Sequence, residues 1–228
     1  MEKRQLILND YKTWETGLWT LASCNIMKAD QVQTFVDVPG RFAPLNLSTA
    51  LTDGQPYYGS ASLEAVLESS EGSREERQQR IEKMVNLLDG YQVKIVHPDR
   101  PGSYMIGTVQ IRKQYNDLVH CAVTVSAICE AWLYNEEETV VSVGLEGTAE
   151  PVVLLNRGRL EAVPEIDVTG SALIAYDDSS ISLSKGKHIV PWLSVPATGG
   201  PASPNSIVLS VSGSGTLTFT YREAVLAE

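Results

Sequence analysis

The amino-acid sequence predicts a mainly β protein in two parts. Residues 1–138 read as an N-terminal antiparallel β-sandwich or barrel-like domain with one α-helix, and residues 139–228 as a smaller C-terminal β-sandwich. Three observations carry this. Apolar and polar side chains alternate over residues 119–129, helical spacing is clear only near residues 74–89, and beyond Glu136-Glu137-Glu138 short apolar segments are separated by Gly, Pro, Asn and Ser. With 228 residues, 43% of them hydrophobic and 20% charged, the chain can bury a sizeable core without staples.

The helix is placed at about residues 74–89. Ile81, Met84, Val85 and Leu88 fall at i, i+3, i+4 and i+7, so four apolar side chains share one stripe. Ser73 followed by Glu76 forms a capping box, and Gly90 is a natural stop in the left-handed conformation. Glu76 and Arg80 are spaced as an i,i+4 pair, and the mixed charges from Arg74 to Lys83 read as a solvated helix face.

A meander follows. Residues 93–95 form a strand, and His97-Pro98-Asp99-Arg100-Pro101-Gly102 is a turn, because two prolines cannot continue a ladder. Residues 104–115 make the second strand, and Asn116-Asp117 makes a tight turn. In the third strand Val119, Cys121, Val123, Val125, Ala127 and Cys129 share the core face. Past residue 140 the expected strands are 152–155, 165–169, 172–176, 181–183, 188–190, 207–211 and 217–221, with Ser212-Gly213-Ser214-Gly215 as a hairpin turn and 196–205 as a loop.

Composition excludes several function classes. The formal net charge of −10 leaves no basic face for phosphates, so no sequence-specific nucleic-acid partner is expected. No apolar run approaches the length of a membrane span, so no membrane insertion is expected. Leu6-Ile7-Leu8 is too short for the apolar segment of a signal peptide, so the chain is expected to fold in the cytoplasm where it is made. Cys24, Cys121 and Cys129 form no CxxC pair and read as free buried thiols, and Asn46-Leu47-Ser48 matches a glycosylation acceptor that has no meaning in the cytoplasm.

Reactive chemistry is hard to find. His97, His120 and His188 lack metal-ligand spacing, and Ser212 to Gly215 lacks the order of a nucleophile elbow. Asp177-Asp178 and the Glu136–Glu138 run read as solvated acids. Trp14, Trp19, Tyr57-Tyr58 and Trp192 are not grouped into a sugar-stacking platform. The sequence therefore supplies no catalytic, cofactor-binding or metal residues, and the expectation is a protein that is not an enzyme and needs no cofactor.

Three blocks go further. The first comprises Asn9-Asp10-Tyr11-Lys12-Thr13-Trp14, Gly17-Leu18, Val36-Asp37-Val38-Pro39-Gly40-Arg41, Leu45-Asn46-Leu47-Ser48 and Leu51-Thr52. The second is the helix end Asn86 to Gly90, then Pro98 to Gly107 and Cys129 to Tyr134. The third is Asn156-Arg157-Gly158, Pro164 to Gly170 and Thr216 to Glu223, ending in Tyr221-Arg222-Glu223. Taken in order over nearly the whole chain, they resemble the distal tail (Dit) proteins of long-tailed bacteriophages. The chain departs from that pattern in Phe42-Ala43-Pro44 after Gly40-Arg41, in Gly59-Ser60 after Tyr58, and in a longer, proline-rich 196–205 loop.

The resemblance implies a non-enzymatic structural component of the tail tip or baseplate in the virion, assembled in the bacterial cytoplasm. Residues 1–138 would be the ring-forming (belt) domain of a homohexamer, and residues 139–228 a galectin-like or jelly-roll-like sandwich. Its partners would be copies of itself, the tail tube protein, the tail hub or tail-associated lysin, and the tape-measure protein. Hairpin edges flanking Pro98–Gly102 are the expected places for strands to pair between subunits. A ring of acidic subunits would let DNA slide through its channel without sticking. The alternative is a carbohydrate-binding module that helps the phage adhere to the host wall.

Overall fold

A computed structural model describes residues 4–48, 56–197 and 205–227. The chain divides into two compact units, Met1–Leu133 with Leu226–Glu228, and Tyr134–Val225. The division falls ahead of the one expected after residue 138, and the chain's last residues, expected in the second domain, return to the first unit. Leu226 and Ala227 are buried there in its core, so two apolar residues that follow the last long strand are shielded from water by the first unit.

In chain order, the first unit contains β1 (Ile7–Leu8), β2 (Tyr11–Lys12), α1 (Thr13–Gly17), β3 (Thr20–Met27), β4 (Phe35–Val36), β5 (Leu45–Asn46), β6 (Ala61–Ser69), α2 (Arg74–Leu88), β7 (Gln92–Val96), β8 (Ser103–Asn116) and β9 (Cys121–Cys129). Strand β10 (Trp132–Asn135) leads into the second unit, which holds β11 (Thr139–Glu146), β12 (Glu150–Leu155), β13 (Glu165–Tyr176), β14 (Ser179–Ile189) and β15 (Ser206–Tyr221). Strand β16 (Ala224–Leu226) leads back.

The main sheet of the first unit runs β2-β1-β7-β8-β9-β6-β3 and is antiparallel throughout. A ring N–H of His97, which follows β7, donates to the backbone of Cys24 in β3 at the far edge, so the sheet curls toward itself and is barrel-like. Helix α2 forms where its stripe predicts, with both bonds of the capping box present: Ser73 Oγ accepts from the Glu76 amide at 3.2 Å, and the Glu76 carboxylate accepts from the Ser73 amide at 2.7 Å. It buries Ile81, Met84 and Leu88, with Val85 half-buried at the margin.

Three expectations for this unit change. Arg77, read as part of a solvated face, is only 1% exposed. Its guanidinium donates to Gly72 O at 2.6 Å, Asp117 O at 2.9 Å and, more weakly, Asn116 Oδ1 at 3.4 Å. Arg80 does not reach for Glu76, whose carboxylate is engaged in the cap. It bonds Ser69 Oγ and Glu71 O instead. Val119 lies outside the strand and is 59% exposed, because Asp117 Oδ1 accepts the amides of Val119 and His120 at 2.8 and 2.7 Å and keeps both residues in the turn. The rest of the stripe is buried: Cys121, Val123, Val125, Ala127 and Cys129.

The second unit is a five-stranded antiparallel sheet, β11-β15-β13-β14, with β12 also on β15. Its strands are longer than expected. Segments 165–169 and 172–176 are one strand, β13, as are 207–211 and 217–221 in β15, while β14 takes in 181–183 and most of 188–190. The hairpin turn expected at Ser212–Gly215 is absent, since β15 continues through it. What looked like turn residues mark a close approach of the paired strands β13 and β15: a Cβ on Gly213 would stand 2.0 Å from Ser171 O, and one on Gly170 would stand 2.1 Å from Ser214 O, where β13 also carries a bulge against β14. One half of β15, residues 206–211, pairs with β12 and the other, residues 214–221, with β11. The sheet can enclose a core that includes Leu154, Ile166, Ile174, Val211, Leu217 and Phe219.

Candidate functional site

The side chains weighed for chemistry do not converge. His97 is buried and structural: its Nδ1 accepts the Asp99 amide at 3.2 Å. His120 lies in the β8–β9 turn and His188 on the exposed edge strand β14. Among the described residues no group of three His, Cys, Asp or Glu side chains gathers as a metal site. The cysteines are free, Cys121 and Cys129 buried and Cys24 half-buried. Burial pushes the thiols of Cys24 and Cys129 up to about 11, far from reactive thiolates. The aromatics are dispersed: Trp19 is core, Tyr58 meets Trp132 edge-on at 5.8 Å, and Trp192 belongs to the second unit.

Burial lowers the His97 pKa from its usual value, with Arg4 and Arg100 lowering it further and Asp99 and the Cys24 carbonyl opposing. A base whose pKa is depressed in the folded state favours folding while neutral and opposes it once protonated. The stability it supports is complete above about pH 6.5 and is lost as pH falls through the lower folded value. The urea midpoint is expected to drop between pH 7.5 and 5.5, and less so in His97→Gln. An equal drop in both proteins would refute this role.

The blocks behind the phage-tail resemblance mostly prove to be scaffold. In the first, the Asn9 amide donates to Lys94 O at 2.7 Å and the Lys94 amide donates to Asn9 Oδ1 at 2.8 Å, which ties this segment to β7. Thr13, fully buried, accepts the Leu6 amide at 3.0 Å, and Gly17 leaves room for the Tyr11 hydroxyl and Trp19 ring. In the third, two motifs far apart in sequence form one knot. Buried Asn156 donates to Leu160 O and Val195 O at 2.8 and 3.2 Å and accepts from the Gly158 amide at 2.8 Å. Tyr221 donates to Leu155 O at 2.7 Å, Glu223 accepts the Arg157 amide at 3.2 Å, and Arg222 holds Asn135 O and Glu138 at 3.0 and 2.6 Å. Arg222 thus fixes part of the acidic run that reads from sequence as merely solvated.

Asn156→Ala is expected to lower unfolding stability by about 2–4 kcal/mol, because it strands the buried Gly158 amide and the Leu160 carbonyl, while Val195 O keeps only its bond from the Ala162 amide. A urea titration that found less than about 0.5 kcal/mol would show the knot to be idle.

One block has no such role. Val36-Asp37-Val38-Pro39-Gly40-Arg41 lies in the β4–β5 hairpin, closed by an Arg41 N–H···O=C Val38 turn of 3.1 Å with Gly40 at φ 85°. Its base is pinned by Val32 N–H to Tyr57 O and Gly59 N–H to Asp30 O. At that base Val32 is exposed, and beyond it Phe35, Val36, Val38 and Leu47 are exposed and Phe42 wholly so. Leu51-Thr52 lies outside the described residues, as does most of the 196–205 loop. The edges expected to pair between subunits are covered instead: β7 lies between β1 and β8, and β8 between β7 and β9. The apolar hairpin is the candidate functional surface, and a binary hydropathy pattern misses it because its apolar residues are too irregularly spaced to read as strand or helix.

These features define a class of protein: a two-unit antiparallel β chain, helix-backed and barrel-like in its first unit, sandwich-forming in its second, with an apolar projection from the first. The structure is similar to the crystal structure of the SPP1 Dit (gp 19.1) protein, described as a paradigm of the hub adsorption apparatus in Gram-positive-infecting phages. The TM-score is 0.67 over 99% of this chain and 100% of that one, at 15% sequence identity, and the fold is shared. No protein-family model and no curated protein matches the chain.

Proposed function

We propose that this protein is a structural component of a phage tail tip, forming a homohexameric ring that joins the tail tube to the tail hub or tail-associated lysin, with the tape-measure protein as a further neighbour. It acts by geometry and self-association, without cofactor or bond-making, in the virion after assembly in the bacterial cytoplasm. The observation that carries the reading is the exposed hairpin of residues 32–47 on a Dit-like fold. A monomer has no reason to hold a well-formed turn and so many apolar side chains in water, whereas a ring buries them in a heterologous interface. The net charge of −10 suits a channel that passes DNA without retaining it.

Light scattering across a concentration series tests the ring. A mass of six chains, and ring images in negative stain, are expected. A protein that stays monomeric at high concentration and does not join a tube or hub protein refutes the proposal.

A further inference from the structure

Building on that self-association, a heterologous ring needs two different surfaces on each copy, and the first unit offers a match for its own hairpin. Across the outer face of the main sheet, Met27, Ser62, Ile128 and Thr108 stand in one register row. Met27 and Ile128 are 59% and 65% exposed. Between them lies only the short side chain of Ser62, so two apolar walls stand two strand spacings, roughly 10 Å, apart. The result is a dimple of about 140 Å³, bordered also by Glu64 and Gln110.

The hairpin carries the complementary shape and charge. Phe42, wholly exposed, follows Arg41 at its tip. Arg41 and Glu64 are both exposed, and neither side chain has an ion pair or hydrogen bond among the described residues. Residues 31–48 contain one Asp and one Arg, so this segment is neutral in a chain of charge −10 and approaches a second copy without the repulsion the rest would meet.

We propose that Phe42 of one copy seats in the dimple over Ser62 of the next, between Met27 and Ile128, with Arg41 placed against Glu64. An aromatic anchor in an apolar socket with a charged pair at its rim is the usual composition of a binding hot spot. Because knob and socket are different surfaces, the contact propagates around a ring and does not stop at a dimer.

Complementation tests this. Phe42→Ala removes the knob and leaves the socket, while Ile128→Glu spoils the socket and leaves the knob. Both residues are exposed, so neither change threatens the fold. Each variant alone is expected to weaken self-association at least tenfold by light scattering, and an equimolar mixture to form one-to-one pairs that grow no further. Assembly of the wild type with unaffected single variants, or loss in both variants without pairing in the mixture, overturns this seating and leaves the ring standing. A wild type that never self-associates, even with a tube or hub protein present, overturns both.

Discussion

Gly213→Val is expected to unfold the second unit, lowering stability by about 3–5 kcal/mol, a large part of the roughly 5–15 kcal/mol a domain has. Two independent effects add. The backbone at Gly213 sits at φ 140°, where a β-branched side chain is strained, and a Cβ there would lie 2.0 Å from Ser171 O, a backbone atom that cannot swing aside. Relief requires β13 and β15 to part where they are paired, in the sheet that carries the core residues Ile166, Leu217 and Phe219. Gly144→Ala in neighbouring β11 is the control, because nothing stands within 4 Å of its added Cβ. Urea titration followed by circular dichroism should separate the two variants widely. Equal midpoints would mean that the close approach of β13 and β15 tolerates a side chain and that the glycines serve no steric purpose.

Arg77→Ala is expected to cost about 2–4 kcal/mol, by a different route. The guanidinium is buried without a carboxylate salt bridge among the described residues and is compensated by the carbonyls of Gly72 and Asp117 and by Asn116. Removing it leaves a cavity and two carbonyls without their donor. Arg77→Lys should rescue little, since a single ammonium cannot reach three acceptors laid out for a planar fork. The same change should loosen the β8–β9 turn, whose amides at Val119 and His120 depend on Asp117. Faster amide exchange confined to residues 116–120 would be its signature. Unchanged exchange and a loss below about 0.5 kcal/mol would show that Arg77 does not hold the turn.

Much of the first unit was legible because its signals are local. The capping box of α2, its apolar stripe, the Pro98–Gly102 turn and the alternation of β9 depend on residues within one or two turns of each other. The errors have a common origin. Arg77 counts as polar on any hydropathy pattern, and only the long reach from helix to turn shows where its charge is satisfied. Gly213 and Gly170 carry the composition of a turn, and what distinguishes a hairpin from two long strands in close contact is a partner more than 30 residues away. The segments that form β1, β3 and β6 are not read as strands from the sequence, and their pairing with distant partners places them.

By itself the sequence determined the mainly β class, the single long helix with its caps, the acidic net charge and an order of motifs that resembles the distal tail proteins. Only the tertiary structure decided which of those motifs are buried knots, where the edges are covered, that the chain's end returns to the first unit, and that the hairpin around Phe42 is left bare. Local preference is a short-range free energy that each segment carries alone. Burial and pairing belong to no segment, since they depend on which distant residues are brought to face one another.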